Sequence, residues 1–288
     1  VVLDADLSKS TKTSEFGVAF PERFFNMGIA EQNMMGTAAG LAAMGKVVFA
    51  SSFAVFATGR AWEQVRNSIA YAGLNVKIAA SHAGITVGED GGSHQSVEDI
   101  ALMRAIPGMK VLVPADAVAT EKPVMAAYRE PGPVYLRLGR PAVPVIYGPG
   151  WDMSIGQGIE IRQGKDATII ACGIMVYHAL EAAKILAGAG LEVSVVDMFT
   201  VKPLDEDMIC RKARETGALV TAEEHSIIGG LGGAVCEVVS GCCPVPVVRV
   251  GIQDLFGQSG TPDELMEYYG LTAKHLVEAV EKAISLKR

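Results

Sequence analysis

Residues 167–197 read ATIIACGIMVYHALEAAKILAGAGLEVSVVD. Two short runs rich in β-branched residues, Ala167–Ala171 and Glu192–Asp197, flank an Ala- and Leu-rich segment that spans Val176–Ala189. This order is typical of two parallel strands that are joined by a helix. The stretch therefore predicts one βαβ unit of an α/β domain.

The same alternation extends over the rest of the chain. In the second half, the further predictions are helix Asp205–Thr216, strand Ala218–Glu223, helix Leu231–Val239, strand Pro246–Val250 and helix Ala273–Ser285. In the first half, the predicted strands are Lys46–Ala50, Val76–Ser81, Lys110–Val113 and Val134–Arg137, and the predicted helices are Glu31–Met44, Gly59–Ala72, Val97–Arg104 and Ala117–Tyr128. The sequence thus predicts an α/β protein with two domains, each a mainly parallel β-sheet flanked by helices.

A stretch without periodicity separates the two halves. Residues 139–158 contain three prolines and five glycines, a composition that is typical of a domain linker. We expect one α/β domain over residues 1–143, a linker over 144–160 and a second α/β domain over 161–288. Because Val1 already begins a strand-like run, we also expect native sequence to precede it.

The composition is that of a folded protein with spare apolar surface. Of the 288 residues, 50% are hydrophobic and 20% are charged, so the chain can bury a large core, and disorder is excluded as its main state. The apolar excess favours a buried subunit interface. The net charge of −7 and the lack of a basic run beyond Lys287-Arg288 argue against the clustered positive face that nucleic-acid binding requires.

The cysteines and the apolar segments indicate a cytoplasmic protein. The five cysteines are irregularly spaced and form no CxxC pair, so we expect reduced thiols rather than a disulfide framework or a zinc site. Uncharged stretches such as Val47–Gly59 are far shorter than the roughly 20 residues of a membrane span. A secretory signal is not recognisable either. The sequence predicts a cytoplasmic location, no membrane association and no metal ligands of its own.

Two charged residues are candidates for chemistry. Glu31 opens a helix of small apolar residues in the run GIAEQNM at residues 28–34. The helix dipole favours any carboxylate at that position, but a closely packed helix would bury this one, and a buried carboxylate needs a partner that can be a ligand. Arg140 follows the predicted strand Val134–Arg137, where it can either clamp a phosphate or make a surface ion pair.

Aromatic and histidine side chains also follow predicted strands. Phe53 and Phe56, in the run SSFAVF at residues 51–56, can wall a flat ring ligand or simply pack in the core. His82, Asp90 and His94 lie in a glycine-rich segment after the next strand. A lone histidine is commonly a core residue, but two histidines and an aspartate in one such loop are typical of a catalytic edge.

Taken in order, these motifs resemble the pyrimidine-binding half of a transketolase. They are GIAEQNM, SSFAVF, SHAGITVGEDGGSHQSVEDIALMR, VPADAVAT and LRLGRP, which start at residues 28, 51, 81, 113 and 136. VVDMFTVKPLD from residue 195, TAEEHSIIGGLGGAV from residue 221 and the tail from Arg249 are similar to the transketolase C-terminal domain. The resemblance covers nearly the whole chain.

The resemblance implies a thiamine diphosphate-dependent transferase of the pentose phosphate pathway. Such an enzyme moves a two-carbon ketol unit from a ketose phosphate to an aldose phosphate. In that family, the diphosphate and Mg²⁺ are bound by a Gly-Asp-Gly motif followed at a distance by Asn, and this sequence contains no Gly-Asp-Gly. The resemblance therefore implies a split enzyme, in which an N-terminal, diphosphate-binding partner subunit holds most of the Mg²⁺ site. A self-dimer of this chain within an α2β2 heterotetramer is implied as well.

The resemblance also implies which residues meet the cofactor. Glu31 matches the glutamate that hydrogen-bonds the aminopyrimidine ring, and a buried carboxyl can share a proton with a ring nitrogen. Phe53 and Phe56 match the aromatic wall of the pyrimidine pocket, and Asp6 matches an acid close to the cofactor. The segment Ala57-Thr58-Gly59-Arg60 is one residue longer than in several relatives, so either Gly59 or Arg60 can take the third pocket position.

Further residues match contacts to the substrate. His94 matches a histidine that assists proton transfer near the substrate carbonyl, and Asp90 matches an acid that reads a sugar hydroxyl. His82, Arg140 and Ser10 match contacts to the phosphate end of the sugar, a role that suits a guanidinium and a hydroxyl group.

Two alternatives remain open at this level. The nearer one is another thiamine enzyme, either a 1-deoxyxylulose-5-phosphate synthase or the beta subunit of a 2-oxoacid dehydrogenase. The run GEDGGSHQSVEDIALMR favours a transketolase over both. The other alternative is a non-catalytic paralogue that binds and regulates a partner, and the presence of the five polar candidates Glu31, His82, Asp90, His94 and Arg140 argues against it.

Overall fold

The computed structural model describes residues 1–148 and 150–287, which form two β-sheets flanked by helices. The strands are β1 (Val2–Asp4), β2 (Phe24–Asn26), β3 (Val48–Ser51), β4 (Val76–Ala80), β5 (Lys110–Leu112), β6 (Val134–Arg137), β7 (Ile159–Arg162), β8 (Ala167–Ala171), β9 (Val193–Asp197), β10 (Thr200–Lys202), β11 (Leu219–Ser226) and β12 (Val247–Ile252). The α-helices are α1 (Ser8–Thr11), α2 (Thr13–Ala19), α3 (Glu31–Ala43), α4 (Asp99–Arg104), α5 (Ala117–Arg129), α6 (Met175–Gly188), α7 (Glu206–Thr216), α8 (Leu231–Cys242), α9 (Pro262–Tyr268) and α10 (Ala273–Ser285). Short 3₁₀ turns span Pro21–Arg23 and Ile85–Asp90, and π-helical segments span Val55–Arg60 and Gln64–Ala70.

The first sheet has the strand order β10-β5-β6-β4-β3-β1-β2. From β5 to β2, each pair of neighbours is parallel, whereas β10 runs antiparallel to β5. Because parallel strands end at the same edge of a sheet, the segments that follow β3, β4 and β6 leave the sheet side by side. This edge collects most of the candidate residues.

The second sheet has the strand order β12-β11-β8-β9-β7. The strands β12, β11, β8 and β9 are parallel to their neighbours, and β7 pairs antiparallel with β9 at the sheet edge. The β8-α6-β9 unit is the βαβ unit that residues 167–197 predict. The prediction of two α/β domains with mainly parallel sheets is confirmed.

The two sheets share a core. One cluster of buried apolar side chains joins Leu136 of β6 and Ile85 of the first half to Ile169 of β8. The strand β10 comes from the second half of the chain, yet it pairs with β5 of the first sheet, with Thr200 opposite Leu112. The sequence does not predict β10, because a strand of three residues is too short to show a pattern. The boundaries at 1–143, 144–160 and 161–288 stay a prediction.

Most predicted elements lie within a few residues of the observed ones, and β6, β8 and α10 have the predicted bounds. A single helix over Gly59–Ala72 is wrong, because this region consists of the π-helical segments Val55–Arg60 and Gln64–Ala70. In the first of them, the Ala61 N–H donates to the carbonyl of Phe56, five residues earlier, at 3.3 Å. A π turn accommodates one extra residue and is frequent at functional sites, which fits the longer segment that the resemblance implies.

The expectation of five reduced thiols is wrong at two positions. Cys210 of α7 and Cys242 at the end of α8 form a disulfide, with their Cα atoms 6.0 Å apart. The helices α7 and α8 pack against each other, which brings together two cysteines that are 32 residues apart in the chain. Cys172, Cys236 and Cys243 are free thiols. In residues 1–148 and 150–287, no helix combines the length and the apolar character that crossing a membrane requires.

Candidate active site

The carboxyl edge of the first sheet brings together side chains that follow three different strands. Phe53 follows β3, His82 follows β4 and Arg140 follows β6. An isolated parallel bridge between Phe53 and Ser81 extends the β3–β4 pairing beyond the strand ends. This backbone pairing places the Phe53 ring next to the residue after Ser81, which is His82.

Four rings form a cluster at this edge. Phe53 and His82 stack with their centroids 3.8 Å apart and an interplanar angle of 13°. Phe56 lies nearly parallel to Phe53, with a centroid separation of 6.1 Å. His94 meets the Phe56 ring edge-on at 5.4 Å. Rings at these separations interact favourably, and the cluster offers flat apolar faces with two imidazoles beside them.

His82 is held in an unusual backbone conformation and stays uncharged. Its φ is 57°, a left-handed value that is uncommon for residues other than glycine, and its Nδ1 lies 2.9 Å from Ser81 Oγ. The pKa of His82 is lowered to about 4, mainly because the ring is buried and also because Arg140 is positively charged, while Asp90 partly offsets both effects. At neutral pH, His82 therefore interacts through hydrogen bonds rather than through a charge.

Arg140 lies beside the acidic end of the loop that follows β4. Its Nη1 donates to the carbonyl of Val87 and lies 3.7 Å from Asp90 Oδ2 and 3.8 Å from Glu89 Oε2. The Arg140 side chain is 40% exposed, so an anion from solvent can reach it. In the same loop, Ser93 Oγ lies 3.0 Å from Nδ1 of His94. Two groups predicted to bind sugar, Arg140 and Asp90, are thus neighbours.

Glu31 is the first residue of α3 and is buried, with 2% of its surface exposed. Arg60 Nη1 donates to both carboxylate oxygens, at 3.0 Å each. The guanidinium carbon of Arg60 also lies 4.6 Å from the centre of the Phe56 ring. Arg60 therefore joins the buried acid to the ring cluster, whereas Gly59 has no side chain that could do so. The sequence left these two residues as alternatives.

Asp6 and Ser10 lie apart from the ring cluster. Asp6 is exposed and accepts a hydrogen bond from Asn26 Nδ2 at 3.1 Å, and Ser10 is exposed on α1. In residues 1–148 and 150–287, no hydrogen bond or ring contact links either of them to the cluster. The sequence did not single out Asp4, whose Oδ2 accepts hydrogen bonds from Thr11 Oγ1 at 2.7 Å and Thr13 Oγ1 at 2.8 Å. Those bonds hold α1 against the end of β1.

A buried ion pair links the end of β6 to α4 beside this edge. Arg137 Nε donates to Asp99 Oδ2 at 2.7 Å, and its Nη2 donates to Asp99 Oδ1 at 3.2 Å. Tyr135 Oη donates to the same Asp99 carboxylate at 2.5 Å. Burial alone would raise the pKa of Asp99, but the adjacent Arg137 lowers it overall, so the pair is ionised. The sequence predicts Arg137 only as the last residue of a strand.

The arrangement combines a buried acid, flat ring faces, two imidazoles and an accessible guanidinium. It suits an aromatic ring with a hydrogen-bonding nitrogen, together with an anionic polar substrate. In the part of the chain that the structure describes, no three His, Cys, Asp or Glu side chains are grouped so as to hold a metal ion.

Comparison with known proteins gives two family matches. Residues 1–145 match the family described as transketolase, pyrimidine binding domain, and residues 156–276 match transketolase, C-terminal domain. A Methanocaldococcus jannaschii protein named as a transketolase C-terminal section is 53% identical over 98% of this chain and 90% of its own length. The 6-deoxy-6-sulfo-D-fructose transketolase subunit SqwH of Clostridium sp. MSTE9 is 46% identical over 100% of this chain and 89% of its own length.

A solved structure shows the same fold over the whole chain. It is described as a split gene transketolase in an inactive β4 tetramer, and it superposes with a TM-score of 0.94 at 59% sequence identity. The match covers 100% of this chain and 93% of the other.

Proposed function

The chain belongs to the transketolase family, and we propose that it is the subunit of a split, thiamine diphosphate-dependent transketolase that carries the pyrimidine-binding and C-terminal domains. The proposed reaction transfers a two-carbon ketol unit from a ketose phosphate to an aldose phosphate, as in the pentose phosphate pathway. The observation that carries this proposal is the buried Glu31 carboxylate, which is linked through Arg60 to the Phe53–Phe56 ring pair.

The residues present fit the aminopyrimidine end of the cofactor. Phe53 and Phe56 offer flat faces, and Glu31 offers a buried carboxylate that can hold a proton against a ring nitrogen. Ser52 Oγ beside them is buried without a hydrogen-bond partner in the part of the chain that the structure describes. Arg60 bonds both Glu31 oxygens, and each carboxylate oxygen has a second lone pair that can meet a ring nitrogen.

The roles of the other residues follow from their positions around the rings. When bound, thiamine diphosphate supplies the nucleophilic carbon that carries the two-carbon unit. His94, at the edge of Phe56, moves a proton at the substrate carbonyl oxygen. Asp90 accepts a hydrogen bond from a sugar hydroxyl, and Arg140 and His82 bind the anionic end of the sugar. Asp6 and Ser10, which have no hydrogen bond or ring contact with the cluster in the part of the chain that the structure describes, are proposed to meet the cofactor and the phosphate respectively.

A second subunit completes the proposed enzyme. The sequence contains no Gly-Asp-Gly motif for Mg²⁺ and diphosphate. The related proteins named above are described as a section, a subunit and a split-gene product. Both facts support a diphosphate-binding partner that holds most of the Mg²⁺ site, in an α2β2 assembly. The cytoplasmic location stays a prediction.

The donor sugar has one specific alternative. The SqwH subunit, 46% identical to this chain, is named for 6-deoxy-6-sulfo-D-fructose, a sugar that ends in a sulfonate instead of a phosphate. Both groups present tetrahedral oxygens to a guanidinium, so Arg140 can bind either of them. A sulfonated ketose is therefore the second candidate donor.

Reconstitution tests the proposal. The chain is co-expressed with its diphosphate-binding partner and supplied with thiamine diphosphate and Mg²⁺, and ketol transfer to ribose 5-phosphate is measured from xylulose 5-phosphate and from the sulfonated ketose. We expect transfer by the complex and none by either chain alone. A cofactor-loaded complex without transfer from any ketose would refute the activity. Tight, Mg²⁺-dependent binding of the cofactor by this chain alone, measured by calorimetry, would refute the need for a partner.

A further inference from the structure

The loop that carries Asp90 and His94 is held by the second half of the chain. Among residues 84–95, the Thr86 N–H donates to Glu224 Oε1 at 2.7 Å. Gln95 Nε2 lies 2.9 Å from the carbonyl oxygen of Gln258 and 3.1 Å from each of the carbonyl oxygens of Ile85 and Gly88 within the loop, so its two hydrogens are shared among three acceptors. The C-terminal part of the chain therefore reaches the catalytic loop through hydrogen bonds as well as through apolar packing.

Glu224 is itself anchored to the first sheet. It lies in β11 and is buried, with 4% of its surface exposed. Its carbonyl accepts a hydrogen bond from Arg137 Nη2 at 2.9 Å, and Arg137 is fixed by the ion pair with Asp99. Two residues farther along β11, the Ser226 N–H donates to the carbonyl of Val97 at 2.8 Å. The end of β11 is thus a fixed point relative to the sheet edge.

The carboxylate lies directly against the loop backbone. A Cβ atom at Gly84 would stand 2.2 Å from Glu224 Oε1, so the approach is possible only because residue 84 is glycine. In residues 1–148 and 150–287, the groups that hydrogen-bond this carboxylate all belong to Thr86. Within these residues, the Glu224 carboxylate makes hydrogen bonds to the loop and none to its own sheet. This is not expected of an acid that merely stabilises its own domain.

Open space borders both residues of this contact. A cavity of about 280 Å³ is lined by Thr86, Arg137 and Glu224 among other residues. If the carboxylate were shortened or removed, the Thr86 N–H would face this space instead of a fixed acceptor. The loop also holds Arg140, whose Nη1 donates to the Val87 carbonyl next to Thr86. Movement of Thr86 would therefore disturb several candidate site residues at once.

We propose that Glu224 is a positioning residue, which holds the loop of residues 84–95 so that Asp90 and His94 meet the substrate. The inference rests on the proposed function for its effect on turnover, and on the Thr86 contact alone for its effect on the loop. It assigns the C-terminal domain a part in the reaction that goes beyond packing.

The neighbouring Glu223 provides a matched control. It is also buried in β11, but its carboxylate oxygens accept from the N–H groups of Leu231 at 2.6 Å and Gly232 at 2.8 Å. It thus caps the start of α8, in its own domain, and makes no hydrogen bond to the loop of residues 84–95. Glu223→Gln should therefore alter stability without altering the loop.

The experiment compares Glu224→Asp, Glu224→Gln and Glu223→Gln in the complete enzyme and in the full-length free chain. Aspartate keeps a carboxyl group but withdraws the acceptor by one methylene group, whereas glutamine keeps an acceptor oxygen in place. We expect Glu224→Asp to lower kcat about 10- to 100-fold with a smaller change in KM, since a displaced catalytic group costs rate in this range. Glu224→Gln should stay within a few-fold of the wild type, as should Glu223→Gln.

Hydrogen exchange provides a readout that does not depend on activity. In the free chain, the amides of residues 84–95 should exchange faster in Glu224→Asp than in Glu224→Gln or Glu223→Gln. Unchanged exchange in Glu224→Asp would overturn the proposal even if the wild-type complex lacked ketol transfer. Faster exchange with unchanged kcat in an active complex would overturn the positioning role. Faster exchange in a chain whose wild-type complex is inactive would support the loop contact and count against the proposed function alone.

Discussion

The carboxyl edges of the two sheets carry different chemistry. At the edge of the first sheet, Arg140 is 40% exposed, and the rings of Phe53 and His82 stack with their centroids 3.8 Å apart. At the end of β11, by contrast, Glu223 and Glu224 are buried and bonded to backbone N–H groups. The same topology therefore leaves one edge available to a ligand and uses the other to hold that edge in place.

Two arginines at the end of β6, three residues apart, show the same contrast between a buried supporting residue and an accessible one. Arg137, the last residue of the strand, is 6% exposed and paired with Asp99. Arg140 is beyond the strand, and its contacts with Asp90 and Glu89 are longer, at 3.7 and 3.8 Å. A buried pair is costly to break because one charge is left unpaired, whereas an accessible guanidinium can exchange its weak partners for a ligand.

The largest effect should come from the reactive side of this comparison. Glu31→Gln is nearly isosteric and should leave assembly intact, but an amide cannot share a proton with the cofactor ring. We expect ketol transfer to fall by about 10²- to 10⁴-fold, the range of general acid–base catalysis. The measurement is kcat at saturating cofactor in the assembled enzyme. Activity within a few-fold of the wild type would make Glu31 a structural acid that merely pairs with Arg60.

The next effect concerns the buried ion pair between Arg137 and Asp99, which supports the edge of the first sheet. Arg137→Met removes the partner of a buried aspartate and should lower the free energy of unfolding by about 3–5 kcal/mol. The matched control is Glu237→Gln, which breaks the ion pair between Arg104 and a Glu237 side chain that is 66% exposed and should cost less than about 1 kcal/mol. Both values come from chemical denaturation of the full chain. Equal losses in the free energy of unfolding would show that burial does not make the Arg137–Asp99 pair more costly to break than the exposed pair.

A smaller effect separates anion binding from proton transfer. Arg140→Ala should lower kcat/KM for a phosphorylated donor. The loss of transition-state stabilisation should be about 2–3 kcal/mol, the strength of hydrogen bonds to charged groups. Hydroxypyruvate has no phosphate and should be affected much less. His94→Ala should slow the reaction of both donors, because the role proposed for His94 is at the reacting carbonyl. If Arg140→Ala reduced both donors equally, the anion clamp would be excluded and an ion-pair role favoured.

The smallest effect concerns the protonation of His82. With a pKa of about 4 in the folded chain and about 6.5 when unfolded, the unfolded state binds more protons between these values. The contribution of His82 to stability should therefore be complete above pH 6.5 and be lost as the pH falls toward 4. NMR titration of the ring protons checks the pKa. Arg140→Ala should raise it, and a midpoint near 6.5 in the wild type would mean that the ring is hydrated.

Local patterns account for the parts that the sequence predicts well. The bounds of β6 and β8 agree with short, continuous apolar runs, and those of α10 with the spacing of apolar residues along a helix, because a strand or helix reflects the residues next to each other in the chain. The short motifs also identify which side chains follow the strands of the first sheet. They do not show what each side chain contacts, which is why Arg60 stayed an alternative to Gly59.

The sequence by itself determined the α/β class, the two mainly parallel sheets and the family, since each depends on periodicity or on motifs of a few consecutive residues. Only the tertiary structure decided that Arg60 pairs with Glu31, that Cys210 is bonded to Cys242 and that Glu224 holds the loop at Thr86. These partners are 29, 32 and 138 residues apart in the chain. Such contacts depend on how helices and sheets pack against each other. A contact between residues that are far apart in the chain produces no periodic pattern in a single sequence.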